Sequence, residues 1–370
     1  MDVSSRRKLE HIWVCLEKDV EAASLRSGFD DIYLVHRCIP ELDLEEVSME
    51  VRFLGRRFKA PLTISALTGG PKLAAVINRS LAEAAQHLGL LLELGSQRPA
   101  LEDSGLKASF KTVREVAPDV FIAANVGAVQ LTSEGLDFVR QAIDMVEANA
   151  VAVHLNPLQE AVQPEGEAKF KRVLESINEL SKNVGVPVIV KETGSGIARE
   201  EAMALEKAGV SAIDVAGAGG TSWAVIEAYR ALSNGDERKH SVGMRFRDWG
   251  VPTAVSIVEV REATSLPIIG SGGVRSGLDS AKALSLGADM AGMALPLLRP
   301  ALAGGWAVIE FLERIMEELR LAMFLTGSCS VEDLKKADVV ITGRTAEWLR
   351  ARGIEVSRLA TRRARAFTCE

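Results

Sequence analysis

Cysteine is sparse in this chain of 370 residues: there are four, Cys15, Cys38, Cys329 and Cys369, and none forms a CxxC pair. That argues against a disulfide framework or a cysteine-held zinc site and fits a reducing compartment. Aromatic residues are few as well, at 5%, whereas small and branched apolar residues abound, the composition of a parallel sheet buried on both faces. No apolar run is long enough to cross a bilayer: the longest, around 291–298, follows Asp289. The opening SSRRKLEHIW is charged and lacks the apolar core of a signal peptide, so a cytoplasmic location and no membrane partner are expected. Neither sign of charge dominates. The net charge is −6 with both signs mixed along the chain, which argues against a nucleic-acid partner. Arg358, Arg362, Arg363 and Arg365 read as a solvated tail or last helix.

What the chain has is repetition. Eight short, near-continuously apolar runs recur at 61–66, 90–95, 120–125, 151–156, 187–191, 212–216, 267–270 and 290–294, each of strand length. Between several of them, at 74–88, 136–147, 170–183, 200–208 and 278–286, apolar residues recur with helical period. Gly89, Gly185, Gly209 and Gly287 follow such segments, where a left-handed C-terminal residue belongs. Eight units of helix, glycine and buried strand predict an α/β fold, a closed (β/α)8 barrel of TIM type. An open doubly wound sheet is less suited, because no GxGxxG follows the first strand. The expected layout is one domain: an N-terminal extension over 1–60, the barrel over 61–300 with a polar insertion at 233–250, and C-terminal helices over 301–370.

In such barrels the chemistry sits at the C-terminal ends of the strands. Those ends read SALTGG, GSQR, ANVG, HLNPLQE, KETGSG, AGAGGTSW, GSGGVRSG and GMALP, polar and glycine-rich behind apolar strands. GSGGVRSG and GMALP follow the seventh and eighth strands, where glycine-loop N–H groups commonly hold phosphate. There Gly272 and Gly273 permit close approach, and Arg275 offers a charged fork. Lys191 closes the run VPVIVK, and an ammonium at a barrel mouth suits a Schiff base or the charge of a cofactor better than stability. Asn125 can hydrogen-bond a heteroaromatic ring, as can Ser65, Thr68 and Ser96. His154, Asn156, Gln159 and Glu160 crowd one strand end. A single carboxylate such as Glu160 suits Mg2+ that borrows its remaining ligands from substrate phosphates. Arg6, Arg7, Lys8 and His11 form a basic cluster, a solvated arm unless the substrate is phosphorylated.

Taken together, RRKLEH, SALTGG, GSQR, AVHLNPLQEAVQPEGE, VIVKETGSGI, GAGGTSW, DWGVPTA, GSGGVRSGLD and AGMALP resemble, in chain order, the type 2 isopentenyl-diphosphate delta-isomerases. HLNPLQE followed by QPEG is the specific part; the glycine loops alone indicate a flavin barrel. The resemblance implies reversible conversion of isopentenyl diphosphate to dimethylallyl diphosphate in isoprenoid biosynthesis. It further implies reduced FMN, Mg2+, NADPH to reduce the flavin, and a homo-oligomer, tetramer or octamer. It places Arg7, Lys8, Ser96, Gln97 and Arg98 on the diphosphate, Gln159 near the reacting carbons and Glu160 on Mg2+. Lys191, His154 and Asn156 join Gln159 as catalytic candidates. FMN contacts would be Ser65, Ala66, Leu67, Thr68, Ser96, Asn125, Lys191 and Thr221, with Gly273, Val274, Arg275, Ala294 and Leu295 at its phosphate end. Two departures stand out: leucine precedes Thr68 where methionine is frequent, and Ala216 replaces a frequent hydroxyl residue. The chemistry agrees with the resemblance. Moving an alkene needs a proton donor and a base, no side-chain pair here is an obvious one, and reduced flavin N5 fills that gap. The rival reading is an FMN-dependent 2-hydroxy-acid oxidase or dehydrogenase, whose late histidine is missing from AGAGGTSW. Inosine-monophosphate dehydrogenase-like barrels need a late-loop cysteine, also missing. A non-catalytic flavin protein would leave Gln159 and Glu160 without a purpose.

Overall fold

The computed structural model describes residues 3–363; Arg365 and Cys369 lie outside the described residues. Short strands β1 (Ile32–Leu34), β2 (Val51–Phe53) and β3 (Arg56–Phe58) precede the barrel. The barrel itself consists of β4 (Leu62–Ile64), β5 (Leu91–Glu93), β6 (Ile122–Gly127), β7 (Ala150–His154), β8 (Val188–Lys191), β9 (Ala212–Asp214), β10 (Ile268–Ser271) and β11 (Met290–Met293). Each pairs in parallel with the next, and β11 pairs back onto β4 with Ala291 opposite Leu62, which closes the ring. The eight runs expected from sequence are these eight strands. Nearly every strand residue is buried, as a sheet wrapped in helices requires. The regular strands stop short of most of the polar motifs, so residues such as Ser65, Ser96 and Asn156 stand on loops at the strand ends.

Helices return the chain from one strand to the next. Helix Lys72–Leu88 ends on Gly89, whose φ of 65° is left-handed, a conformation that costs a residue with a Cβ about 1 kcal/mol or more. The polar insertion forms helix Glu237–Arg245, packed on helix Trp223–Ser233. They fit closely at Gly243, where a Cβ would lie 2.7 Å from the carbonyl oxygen of Ala224. Helix Thr253–Ala263 then leads into β10.

The flanking segments do more than decorate. Strands β2 and β3 form a hairpin, and Val51, Phe53 and Phe58 pack with Leu91, Phe121, Ala150, Ala212 and Met290, the first residues of barrel strands or their neighbours. The hairpin therefore plugs the N-terminal end of the barrel. The segment after 301 is not purely helical as expected. Helix Gly305–Leu325 is followed by β12 (Val339–Ile341), which pairs antiparallel with β1. A three-residue strand has too little period to register in sequence, and its partner lies about 300 residues earlier.

Phe53 is 2% exposed, so Phe53→Ala should lose about 3–5 kcal/mol of unfolding free energy in a urea titration while leaving ligand binding at the opposite end intact. A loss below about 1 kcal/mol would contradict the plug.

Candidate active site

A cavity opens at the C-terminal ends of the strands, lined by residues from all eight strand ends, the usual place for a barrel's site. At its floor lies Lys191, the last residue of β8. Its Nζ donates to Glu93 Oε2 on β5 at 2.9 Å and to Asp214 Oδ2 on β9 at 2.8 Å. Asp214 accepts in addition from Ser271 Oγ at 2.5 Å. Burial alone would lower the pKa of Lys191, but Asp214 and Glu93 outweigh it and raise it, so the group is an ammonium. Glu93 is pushed up by burial and by Asp214 against the pull of Lys191. Sequence reasoning put Lys191 at the mouth and missed both partners. The signal was there, since LLLELG and AIDVAG each carry an acid inside an apolar strand.

His154 and Asn125 form a second unit. His154 Nδ1 lies 2.8 Å from Asn125 Oδ1, while Asn125 Nδ2 donates to the Leu94 carbonyl at 2.7 Å. With its amide so oriented, Asn125 offers only an acceptor, so the neutral imidazole carries its proton on Nδ1 and turns the Nε2 lone pair away. Burial, then Lys8 and Lys191, lower the His154 pKa to about 3.

The third unit joins the HLNPLQE strand end to the N-terminal helix Val3–Glu17. Glu160 accepts from Asn156 Nδ2 at 3.1 Å and from the Glu167 amide at 2.7 Å. The turn between them is tight: a Cβ on Gly166 would lie 2.0 Å from the Glu160 carbonyl oxygen. Gln159 Nε2 donates to Glu227 Oε1 at 2.9 Å, and the same oxygen faces His11 Nε2 at 2.9 Å. Arg230 grips the other oxygen of Glu227 at 2.6 Å and reaches Glu165 at 2.8 Å and Glu10 at 3.0 Å. Burial opposes the charge on Glu227, but His11, Arg230 and Gln159 prevail and hold it below the usual carboxylate range. Glu227 and Arg230, one helical turn apart, are a further pair the sequence reading overlooked. Arg7 is 12% exposed with Nε 4.0 Å from Glu165. Lys8 lines the same cavity, and burial together with Arg7 lowers its pKa to about 7. Of the N-terminal basic cluster, Arg7, Lys8 and His11 thus line the cavity, whereas Arg6 is exposed and pairs with Glu10.

On the far side, Gly272 and Gly273 adopt φ of 100° and 71°. The segment after the N-terminal helix straps these loops: Ala22 donates to the Gly220 carbonyl and Ser222 to that of Val20. Glu21 takes the Arg275 guanidinium at 2.7 Å. Ser65 Oγ and Thr68 Oγ1 are buried with no hydrogen-bond partner among the described residues.

Most of the expected residues converge: Arg7, Lys8, Ser65, Ala66, Leu67, Ser96, Arg98, Asn125, His154, Asn156, Gln159, Glu160, Lys191, Thr221, Gly273, Arg275, Ala294 and Leu295 all line the cavity. Three do not. Gln97 is fully buried behind the wall, its Nε2 on the Ala142 carbonyl and its Oε1 on the Asn125 backbone amide, so it braces Asn125 and does not face the cavity. Thr68 and Val274 are buried off the lining as well. The fork of Arg275 is turned onto Glu21 rather than left free. Among the described residues no cluster of three or more acidic, histidine or cysteine side chains forms a metal cage.

A family profile for FMN-dependent dehydrogenases matches residues 136–341. The isopentenyl-diphosphate delta-isomerase of Methanothrix thermoacetophila is 51% identical over 97% of this chain and 99% of its own. Those of Methanothermobacter thermautotrophicus, 50% over 97% and 99%, and Methanosarcina barkeri, 48% over 96% and 97%, are alike. The chain belongs to the type 2 isopentenyl-diphosphate delta-isomerase family. Among solved structures, a mandelate oxidase with (S)-2-phenylpropionate has a TM-score of 0.63 at 22% identity, covering 91% of this chain and 97% of that one. A lactate oxidase of Pediococcus acidilactici has 0.66 at 16%, covering 93% and 96%. At such identities these two speak for the barrel alone.

The His154 geometry has a direct readout. Nitrogen-15 shifts of the ligand-free protein at pH 6 should show a neutral imidazole protonated on Nδ1, since a pKa of about 3 keeps the ring uncharged where a free histidine is largely protonated. An imidazolium at that pH would contradict the arrangement.

Proposed function

We propose that the cavity isomerises isopentenyl diphosphate and dimethylallyl diphosphate, with FMN as resident cofactor and Mg2+ shared between Glu160 and the substrate. The observation that carries this reading is a cavity with two separate poles, one cationic and one a bare glycine turn. Arg7, Lys8 and Arg98 converge on one side, and the Gly272–Gly273 turn lies on the other. One pole suits a substrate diphosphate and the other a flavin phosphate. The unpartnered hydroxyl of Ser65 fits a polar heteroaromatic ring, and Lys191 at the floor fits one that becomes electron-rich. When bound, reduced FMN would supply the proton chemistry that no side-chain pair of the cavity offers.

The protein's own part is positioning and charge. Lys8 and Arg7 draw in the diphosphate, whose charge favours the protonated form of Lys8. Glu160 presents one carboxylate, which suits Mg2+ completed by diphosphate oxygens and water. Glu227 fixes the Gln159 amide toward the reacting end, and the N-terminal helix, held by Arg230, covers that end from water. Both cavity histidines are already engaged, His11 by Glu227 and His154 by Asn125, which disfavours the hydroxy-acid oxidase alternative with its histidine base. NADPH serves only to reduce the flavin. The chain works as one unit, barrel with extension and tail, in a cytoplasmic homo-oligomer. No helix among the described residues is long and apolar enough to cross a membrane.

Substrate and product are isomers, so turnover consumes no electrons. Under anaerobic conditions with FMN, Mg2+ and NADPH, the NADPH oxidised per isomer formed should be far below one. A ratio near one would sink the isomerase reading.

A further inference from the structure

Gln130 has no part in the roles assigned so far, yet it lines the cavity. It stands on helix Ala128–Glu134, directly after β6, and is 7% exposed. Ser133 Oγ donates to its backbone carbonyl at 3.4 Å, but its side-chain amide bonds to no group among the described residues. Because Gln130 lines the cavity, a group that fills the cavity can bond to its amide.

Two observations say which group. Gly127 has φ −80°, a conformation open to any residue, so its bareness serves space. A Cβ there would lie 2.1 Å from Gln130 Oε1 and 3.1 Å from His154 Nε2. The gap at Gly127 thus admits both side chains to one corner of the cavity. That corner is the cationic pole, since Lys8 acts on His154 and is itself faced by Arg7 and Arg98. The flavin-phosphate turn at Gly272 and Gly273 follows β10, and in the ring order β6 lies diametrically opposite β10. An anion beside Gln130 is therefore the substrate's.

We propose that Gln130 is a further substrate-binding residue, its amide N–H donating to an oxygen of the diphosphate in the corner it shares with His154. This rests on the isomerase reading for the identity of the substrate, and on the geometry alone for the anion. Beside the forks of Arg7 and Arg98, a neutral amide in a fixed corner adds one hydrogen bond of set direction to a phosphate oxygen.

The test compares FMN-loaded wild type with Gln130→Leu, close in size but without hydrogen bonds, and Gln130→Glu. Inorganic pyrophosphate is titrated by calorimetry and isopentenyl diphosphate by steady-state kinetics. In Gln130→Leu the pyrophosphate Kd and the KM should both rise about tenfold, as for a lost hydrogen bond to a charged group, with kcat within about a factor of two and FMN affinity unchanged. Gln130→Glu should bind pyrophosphate more weakly still. An unchanged pyrophosphate Kd in Gln130→Leu would overturn the proposal, as would parallel losses of pyrophosphate and FMN, which mark a merely structural residue. Wild type that binds pyrophosphate but does not isomerise would overturn the activity and leave Gln130 standing.

Discussion

The cavity is organised around one buried ammonium held between two buried carboxylates. Lys191, Glu93 and Asp214 come from three different strands, and all three are at most 6% exposed. Removing ions from water is expensive, and only close mutual pairing offsets it; deleting one partner of such a set typically costs about 3–5 kcal/mol. The trio therefore locks β5, β8 and β9 in register at the end of the barrel where the cavity opens, with Ser271 of β10 attached through Asp214. The arrangement is costlier than an apolar floor would be. Its return is a cation with a fixed position facing the cavity, which an apolar floor cannot provide.

A second constraint links the ends of the site. The N-terminal helix brings Arg7, Lys8 and His11, and the strand-like segment after it crosses the glycine loops near Gly220 and Gly273. One continuous stretch of chain thus touches both the cationic end of the cavity and the glycine turn across from it. Glu227 and Arg230 fasten that helix from below, and Gln159 hangs from the same carboxylate. The N-terminal helix and the Gln159 amide thus depend on a shared support.

Much of this was legible in the sequence because its physics is local. Eight apolar runs with glycine between helix and strand give the barrel, and a polar motif at a strand end gives its place at the cavity. Other features were hidden for stated reasons. Helix Thr253–Ala263 is buried on every side from Thr253 to Val260, so it shows no one-sided pattern. Gln97 and Ser96 are neighbours in GSQR, yet one faces the cavity and the other braces Asn125; adjacency cannot tell which way a loop side chain turns. Glu227 and Arg230 look like an ordinary surface pair at helical spacing, and only the docking of a helix more than 200 residues away buries them. Gln130 sits in the unremarkable string GAVQLT, and its place depends on the gap left by Gly127.

The central claim is that this cavity moves a double bond, with the flavin reduced, at no net redox change. The most direct measurement is proton NMR of isopentenyl diphosphate incubated in heavy water with the FMN-loaded protein, Mg2+ and dithionite under argon, beside an oxidised control. The account predicts dimethylallyl diphosphate carrying deuterium at the positions that gain hydrogen, formed in the reduced sample alone. Unchanged isopentenyl diphosphate over protein shown to hold reduced FMN would contradict it.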